Sequence, residues 1–372
     1  MLRHYARTIP FAQLVAELGA ARSERLVYSR RSGSIELWCY TSRAVYDRRW
    51  SPAVMAARGL VLDRDAERVI ATPFPKFFNL GEAGAIIPAE PCEVFEKVDG
   101  SLIVIFHDGR SWRTATKGAL DSPQALWAAE RLHETDLAAL NPGTTYLAEA
   151  VYPENRIVVR YADAGLVLLG AYREDGLELN TSELEQVAAA LGWRMARRES
   201  FANLEDAAAH AQGLPESEEG YVVRFASGAR LKIKGSSYAR LHAMIARVTP
   251  LGLWDAMSAG EDLDANRKAI PEEFWDDFDR IRALLERALA TLVADIAAAA
   301  GEVAHLSDKE VGTTLSRFPE RVRRYIFLHR RDSDLLGSER TRERLLRDVR
   351  PTGDLLPGYE PSFAIRRVAD DI

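Results

Sequence analysis

The stretch from Cys92 to His107, CEVFEKVDGSLIVIFH, constrains this chain more than any other. Apolar and polar residues alternate through Val94, an Asp-Gly pair interrupts at Asp99 and Gly100, and the apolar run Leu102 to Phe106 follows. The pattern reads as strand, tight turn, strand. Lys97 falls where the first strand meets the turn. A lysine there is poised to face a cleft rather than a core. The plain alternative is an ordinary hairpin with a solvated lysine, and the stretch alone does not choose between them.

The rest of the chain sets the frame. At 372 residues it has length for two domains of ordinary size. A 47% apolar and 28% charged composition is that of a globular protein. The formal net charge is -6, so any nucleic-acid site must be a local positive patch on an acidic body. The two cysteines, Cys39 and Cys92, lie in no CxxC or Cys/His cluster, which argues against a zinc site or disulfide framework. With no secretory signal, they fit a reducing, cytoplasmic setting. No apolar run approaches the roughly 20 residues of a membrane helix.

In chain order, a short helix is expected around Phe11–Leu18, then a polar, Arg-rich turn. A strand is expected from Ile35 to Thr41, a helical or irregular link over Trp50–Ala57, and a hairpin from Gly59–Asp63 and Arg68–Thr72. PFPKFFNLGE, residues 73–82, carries two prolines and should be a rigid loop presenting Lys76, Phe77, Phe78 and Asn79. Further strands are expected at Ser111–Thr116, Thr145–Val151, Arg156–Tyr161 and Leu166–Tyr172, with a last hairpin from Glu219–Phe225 and Arg230–Lys234. Helices are expected at Pro123–Leu140, Ser182–Leu191 and Asn203–Ala211. Short hairpin-linked strands with interspersed helices argue for an antiparallel α+β domain, not a doubly wound one. After Ser236 the alternation stops. Helices are expected at Pro271–Ala300, Asp308–Leu315, Pro319–Leu328 and Ser338–Val349, with an irregular tail PTGDLLPGYEPSF. The boundary is placed near 245, giving an α+β domain over 1–245 and an all-α domain over 246–372.

Charged residues recur at strand ends. Lys232 and Lys234 lie two apart in LKIK, so they share one face with Cα atoms roughly 7 Å apart. Two such cations side by side are costly unless an anion lies between or above them. Glu219 opens EGYVVRF on the strand expected to pair with them. Glu149 stands in the apolar YLAEAVY, and an unpaired carboxylate in a core is expensive, which favours a cleft.

In this order the residues resemble the covalent nucleotidyltransferases. Lys97-Val98-Asp99-Gly100-Ser101 matches their KxDGS nucleophile motif, and Glu149, Glu219-Gly220 and Lys232-x-Lys234 follow as their motifs III, IV and V. The flanks RGLVLD (58–63), PFPKFFNLGE (73–82), TKG (116–118) and PENRIVV (153–159) resemble the ATP-dependent RNA ligase 1 family of bacteriophage and bacteria, over about residues 35–240. The resemblance implies an antiparallel-sheet, ATP-grasp-like ligase domain. It implies that Lys97 attacks the α-phosphorus of ATP to form lysyl-AMP, that AMP passes to an RNA 5′-phosphate, and that a 3′-OH then displaces it. The amine must be neutral to attack. Lys232, Lys234 and a metal would favour its deprotonation and stabilise charge on the phosphoryl oxygens. Mg²⁺, or Mn²⁺, is the implied cofactor.

Arg58, Lys76 and Lys117 match positions that hold the β- and γ-phosphates. Glu149 matches the acid that accepts from the ribose hydroxyls, and Glu219 the acid associated with metal. Glu96, Gly100 and Ser101 are further nucleotide contacts on this reading. Tyr172 is the candidate adenine platform, with an ordinary core tyrosine as its alternative. Phe77 and Phe78 are expected to be packing anchors.

The implied partner is RNA with 5′-phosphate and 3′-OH ends, broken tRNA being one candidate, and no membrane is involved. No G-x-x-x-x-G-K-[ST] loop is present, so end healing would fall to a separate kinase/phosphatase. His133-Glu-Thr135 and His305-Leu-Ser307 are discounted as a paired phosphodiesterase signature, because they lie in helical stretches of different domains. No oligonucleotide-binding barrel pattern follows motif V, which counts against a DNA ligase. The alternatives carried forward are a ligase acting on DNA or DNA/RNA junctions, and a non-catalytic RNA-binding protein on a ligase scaffold. The helical half separates its charge: Asp255–Ala300 holds 11 acidic and 5 basic residues, Arg317–Arg350 11 basic and 6 acidic. Such runs are solvated helix faces or a contact surface for RNA.

Overall fold

The helix Phe11–Ser23 lays Leu14 and Leu18 on a four-stranded antiparallel sheet at the start of the fold. Its strands, in sequence order, are β1 (Val27–Ser32), β2 (Ile35–Tyr40), β3 (Arg58–Asp63) and β4 (Arg68–Ala71). The computed structural model describes residues 3–362 other than Ile157, together with Ile365, with Glu273 described by its backbone alone. β1 replaces the expected polar turn. Only Val27 in it is buried and Arg30–Ser32 are exposed, so an edge strand dressed in charge conceals its own pattern.

β5 (Phe78–Asn79) and β6 (Cys92–Glu96) then enter a second sheet. At Lys97 the chain leaves it. β7 (Ser101–His107), β8 (Trp112–Ala115), β9 (Thr145–Val151), β10 (Gly165–Tyr172) and β11 (Arg194–Met195) make a third sheet in the order β11-β10-β9-β7-β8. β12 (Arg198–Glu199), β13 (Gly220–Phe225) and β14 (Arg230–Lys234) return to the second, ordered β12-β6-β13-β14-β5. Pairing is antiparallel except in the short β10–β11 and β14–β5 contacts.

The hairpin expected from Cys92 to His107 therefore does not form. β6 pairs with β12 and β13, whereas β7 pairs with β8 and β9. Burial gives the reason. Ile103 to Phe106 are inaccessible on both faces, which requires a central strand covered on each side. β6 buries only Val94. Residues 97–100 are the crossing between the two sheets.

The third sheet is covered on one face by the helices Pro123–His133 and Thr181–Leu191, which bury Ala128, Leu132, Leu184 and Ala188 against Ile103, Ile105, Tyr146 and Ala148. Its other face meets the first sheet through Val104, Phe106 and Leu147. The helix Leu204–Gln212 covers Leu231 and Ile233 of the second sheet. Arg156–Tyr161 is not a strand in its described residues, Ile157 lying outside them: the amides of Val158 and Val159 bond the Asp99 carboxylate instead of a ladder. The helix expected to reach Leu140 ends at His133.

The chain divides into two compact units, residues 1–240 and 241–372. The second is helical. Trp275–Glu302 is its longest helix and packs Leu292 and Ile296 on Val322, Ile326 and Leu345. It starts after Pro271 because Glu272–Phe274 form a 3-10 turn. The stretch expected as one helix from Pro319 is two, Glu320–Arg323 and Ile326–Arg331. Helices Asp308–Thr314 and Glu339–Asp348 stand where expected, and of the irregular tail Phe363 lies outside the described residues. No described helix is long and apolar enough to cross a membrane.

Candidate active site

Lys97 sits at the point where the chain changes sheets. Its amide donates to Gly220 O at 2.8 Å, tying it to the start of β13. Its Nζ lies 2.6 Å from Glu219 Oε2, the residue just before β13. Glu219 is almost wholly buried, and a carboxylate there must be compensated. Lys97 compensates one oxygen. Oε1 is buried and makes no hydrogen bond, although the Lys234 ammonium stands 3.4 Å away.

β14 delivers the next cations. Leu231 and Ile233 point into the core while Lys232 and Lys234 alternate to the other face, as the two-residue period requires. Lys234 stands over the Tyr238 ring at 5.4 Å and Lys232 over the Phe77 ring at 5.1 Å. Arg58 meets the same Phe77 ring at 5.7 Å, so Phe77 serves the cations as an anchor. Phe78 is buried in β5. Lys76 packs over Phe78 and Trp50 and lies 3.9 Å from Glu82. Burial depresses its pKa, with the neighbouring charges of Arg58, Lys117 and Lys234 adding to the effect. Those five cations therefore share one neighbourhood. Gly59 makes part of it possible: at φ +97° it lets β3 approach, and an added Cβ would lie 3.2 Å from Lys117 Cα.

The anionic wall comes from β9. Tyr146, Ala148 and Ala150 face the helices, while Leu147 and Val151 face two inner clusters. Glu149 stands between the latter two, half-buried and opposite Leu102 of β7. Gly100 is fixed by the same strand. A Cβ there would meet Ala150 O at 2.5 Å. Ser101 Oγ donates to Asn155 Oδ1, and Asn155 Nδ2 donates to Ala150 O.

Two candidates are placed elsewhere. Glu96 is opposite Tyr221, which is opposite Ile233, so it shares the helix-side face rather than that of Lys232 and Lys234. Arg194 Nη1 donates to it at 2.7 Å. Tyr172 is buried among Phe74, Val104 and Leu147 with His4 against its ring edge. Burial raises its pKa, and the adjacent Glu178 adds to this. It belongs to a buried network in which Arg230 and Arg224 both pair with Glu178. It stands as the core tyrosine of the two alternatives.

Sequence reasoning named Asp99 in the KxDGS motif but passed over three participants around it, Tyr238, Tyr161 and Asn155. Asp99 Oδ2 accepts from the amides of Val158 and Val159 at 2.9 and 2.7 Å, and Oδ1 accepts from Tyr238 at 2.9 Å. Tyr161 OH accepts from the Asp99 amide at 2.7 Å. Burial holds the Tyr161 phenol well above its usual range, so it stays protonated. Asn155 completes the set. A signal existed only for Tyr238, four residues after Lys234 and thus within reach of the same site. Asn155 and Tyr161 sit in an irregular loop whose shape no periodicity foretells.

Among the described residues no three His, Cys, Asp or Glu side chains form a metal cage. A divalent cation that keeps water and phosphate oxygens needs only one or two carboxylates, and Glu219 Oε1, buried without a hydrogen bond beside the Lys234 ammonium, fits that demand.

Comparison with known proteins bears on the same stretch. The RNA ligase family profile matches residues 56–238. RNA ligase 1 of bacteriophage TS2126 is 29% identical over 174 residues, 41% of this chain and 43% of that protein. A putative bifunctional polynucleotide kinase/RNA ligase of Autographa californica nuclear polyhedrosis virus is 26% identical over 220 residues, 51% of this chain and 31% of that protein. The chain thus spans less than half the length of these curated relatives. An archaeal ATP-dependent RNA ligase structure aligns at 16% identity and a TM-score of 0.48, covering 92% of this chain and 89% of that one. Every candidate residue from Arg58 to Lys234 lies inside the matched stretch, over which this chain is similar to the RNA ligase family.

Proposed function

We propose that this chain is an ATP-dependent RNA ligase that joins 5′-phosphate and 3′-OH ends through lysyl-AMP. The observation that carries this is the Lys97 ammonium held 2.6 Å from a buried carboxylate inside a cluster of cations. Lys97 Nζ forms a bond to the α-phosphorus as the bond to pyrophosphate breaks. Glu219 Oε2 is an acceptor at hydrogen-bond distance for the proton that Lys97 must shed. Lys232 and Lys234 stabilise charge on the α-phosphoryl oxygens, and Arg58, Lys76 and Lys117 hold the departing pyrophosphate. Glu149 takes the ribose hydroxyls. Mg²⁺ or Mn²⁺ bound at Glu219 would neutralise phosphate charge and loosen the hold of that carboxylate on the lysine proton. AMP then passes to the RNA 5′ end, and the 3′-OH displaces it.

The helical unit serves as a module for RNA choice, and the setting is repair of broken RNA, tRNA included, in the cytoplasm beside a separate end-healing kinase/phosphatase. The test uses α-labelled ATP and Mg²⁺. The wild type is expected to become labelled and Lys97→Ala to stay unlabelled. An unlabelled wild type, or label surviving in Lys97→Ala, rejects the reading. Sealing assays on single-stranded RNA, nicked duplex and DNA ends then separate an RNA ligase from a DNA or junction ligase.

A further inference from the structure

The residues on either side of Lys97, Glu96 and Asp99, are gripped by partners outside the cation cluster. Glu96 Oε1 accepts from Arg194 Nη1 at 2.7 Å and from the Arg197 amide at 3.0 Å. The Asp99 amide donates to Tyr161 OH at 2.7 Å. The Arg194 guanidinium stands 5.7 Å over the Tyr161 ring, so the two grips touch each other. Both side chains line a cleft of about 700 Å³ together with Trp193 and Asp163.

We propose that Tyr161 and Arg194 are positioning residues that fix the direction of Lys97 by holding Glu96 and Asp99 on its two sides. This rests on the reading of Lys97 as the nucleophile. Residues 97–100 belong to no strand; the Lys97 amide is held by Gly220 O, and from Val98 to Gly100 side-chain partners set the backbone. Asp99 is buried, and its amide cannot turn to water if the phenol oxygen is removed. A lysine has four rotatable side-chain bonds, so the base from which it starts decides how often Nζ lies in line with the leaving group.

Tyr161→Phe keeps the ring and removes the acceptor. The expected result is a maximal rate of adduct formation lowered about 10-fold or more, with KM for ATP within about 2-fold of wild type. The folded fraction, read by circular dichroism, is expected to match wild type. A wild-type rate, or a loss that tracks the loss of folded protein, overturns the proposal. If Tyr161→Phe does not fold, Arg194→Gln decides. Arg194 is 47% exposed and tolerates replacement. A rate about 3-fold down, restored by Arg194→Lys, upholds the role, and an unchanged rate overturns it. A wild type that forms no adduct rejects the nucleophile itself, whereas an active wild type with indifferent variants rejects only the positioning.

Discussion

Asp99 shows how a carboxylate can be buried and still be used. Both oxygens are engaged, one by two backbone amides and the other by Tyr238. Burial nonetheless raises its pKa to about 6, and the charge of Glu219 pushes the same way. A native pKa above the unfolded value means that the folded state prefers the protonated acid. The stabilisation is fully present below pH 4 and is lost as pH rises through 6. Two pH units correspond to about 3 kcal/mol. In Asp99→Asn the amide oxygen can accept from Val158 and Val159 while its NH₂ donates to Tyr238. Subtracting the unfolding free energy of Asp99→Asn from that of wild type across pH 3 to 8 is expected to give a curve that falls between pH 4 and 6 and is flat above pH 7. A flat difference throughout would show that Asp99 has an ordinary pKa.

The crossing from β6 to β7 leaves no slack. A Cβ on Gly100 would press 2.5 Å from Ala150 O and 3.0 Å from Glu149 Cγ, so Gly100→Ala must part β7 from β9 locally. Its cost is expected at about 1–3 kcal/mol, read as a lower denaturant midpoint with an unchanged slope. Adduct formation should fall with it, because the strained strand carries Glu149. The close approach was not visible in the sequence, although the glycine was. The pattern of Leu102–Phe106 announced a strand but not its partners, because short apolar runs are read alike in a hairpin and in a central strand. β13 and β14 were foreseen as a pair because only local contacts were needed. Alternation in LKIK likewise placed Lys232 and Lys234 on one face. Glu96 and Tyr172 depended on which face met which layer, a question of tertiary pairing, and there the residue pattern gave no guide.

Charge in the helical unit is more committed than its count suggests. Of the basic residues after Arg317, Arg321 pairs with Asp295 and Arg324 with Asp348. Arg330 bonds the carbonyls of Val303 and Leu306. Arg344 and Arg350 lie over Tyr325 and Trp254. These side chains knit helices together and are poorly free to meet phosphate. Arg317, Arg331, Arg340 and Arg347 are exposed, and their side chains carry no ion pair or hydrogen bond among the described residues, which makes them the better probes of RNA docking. Replacing all four by Glu is expected to weaken RNA binding about 10-fold or more at low salt and to flatten the dependence of log K on log salt. Arg321→Ala with Arg324→Ala should instead lower the thermal midpoint. On the proposed roles, label transfer from ATP to Lys97 uses residues of the first unit and is expected to stay at the wild-type rate in the fourfold variant. Unchanged RNA affinity in that variant would leave the helical basic run as a solvated surface and return RNA binding to the unit that holds Lys97.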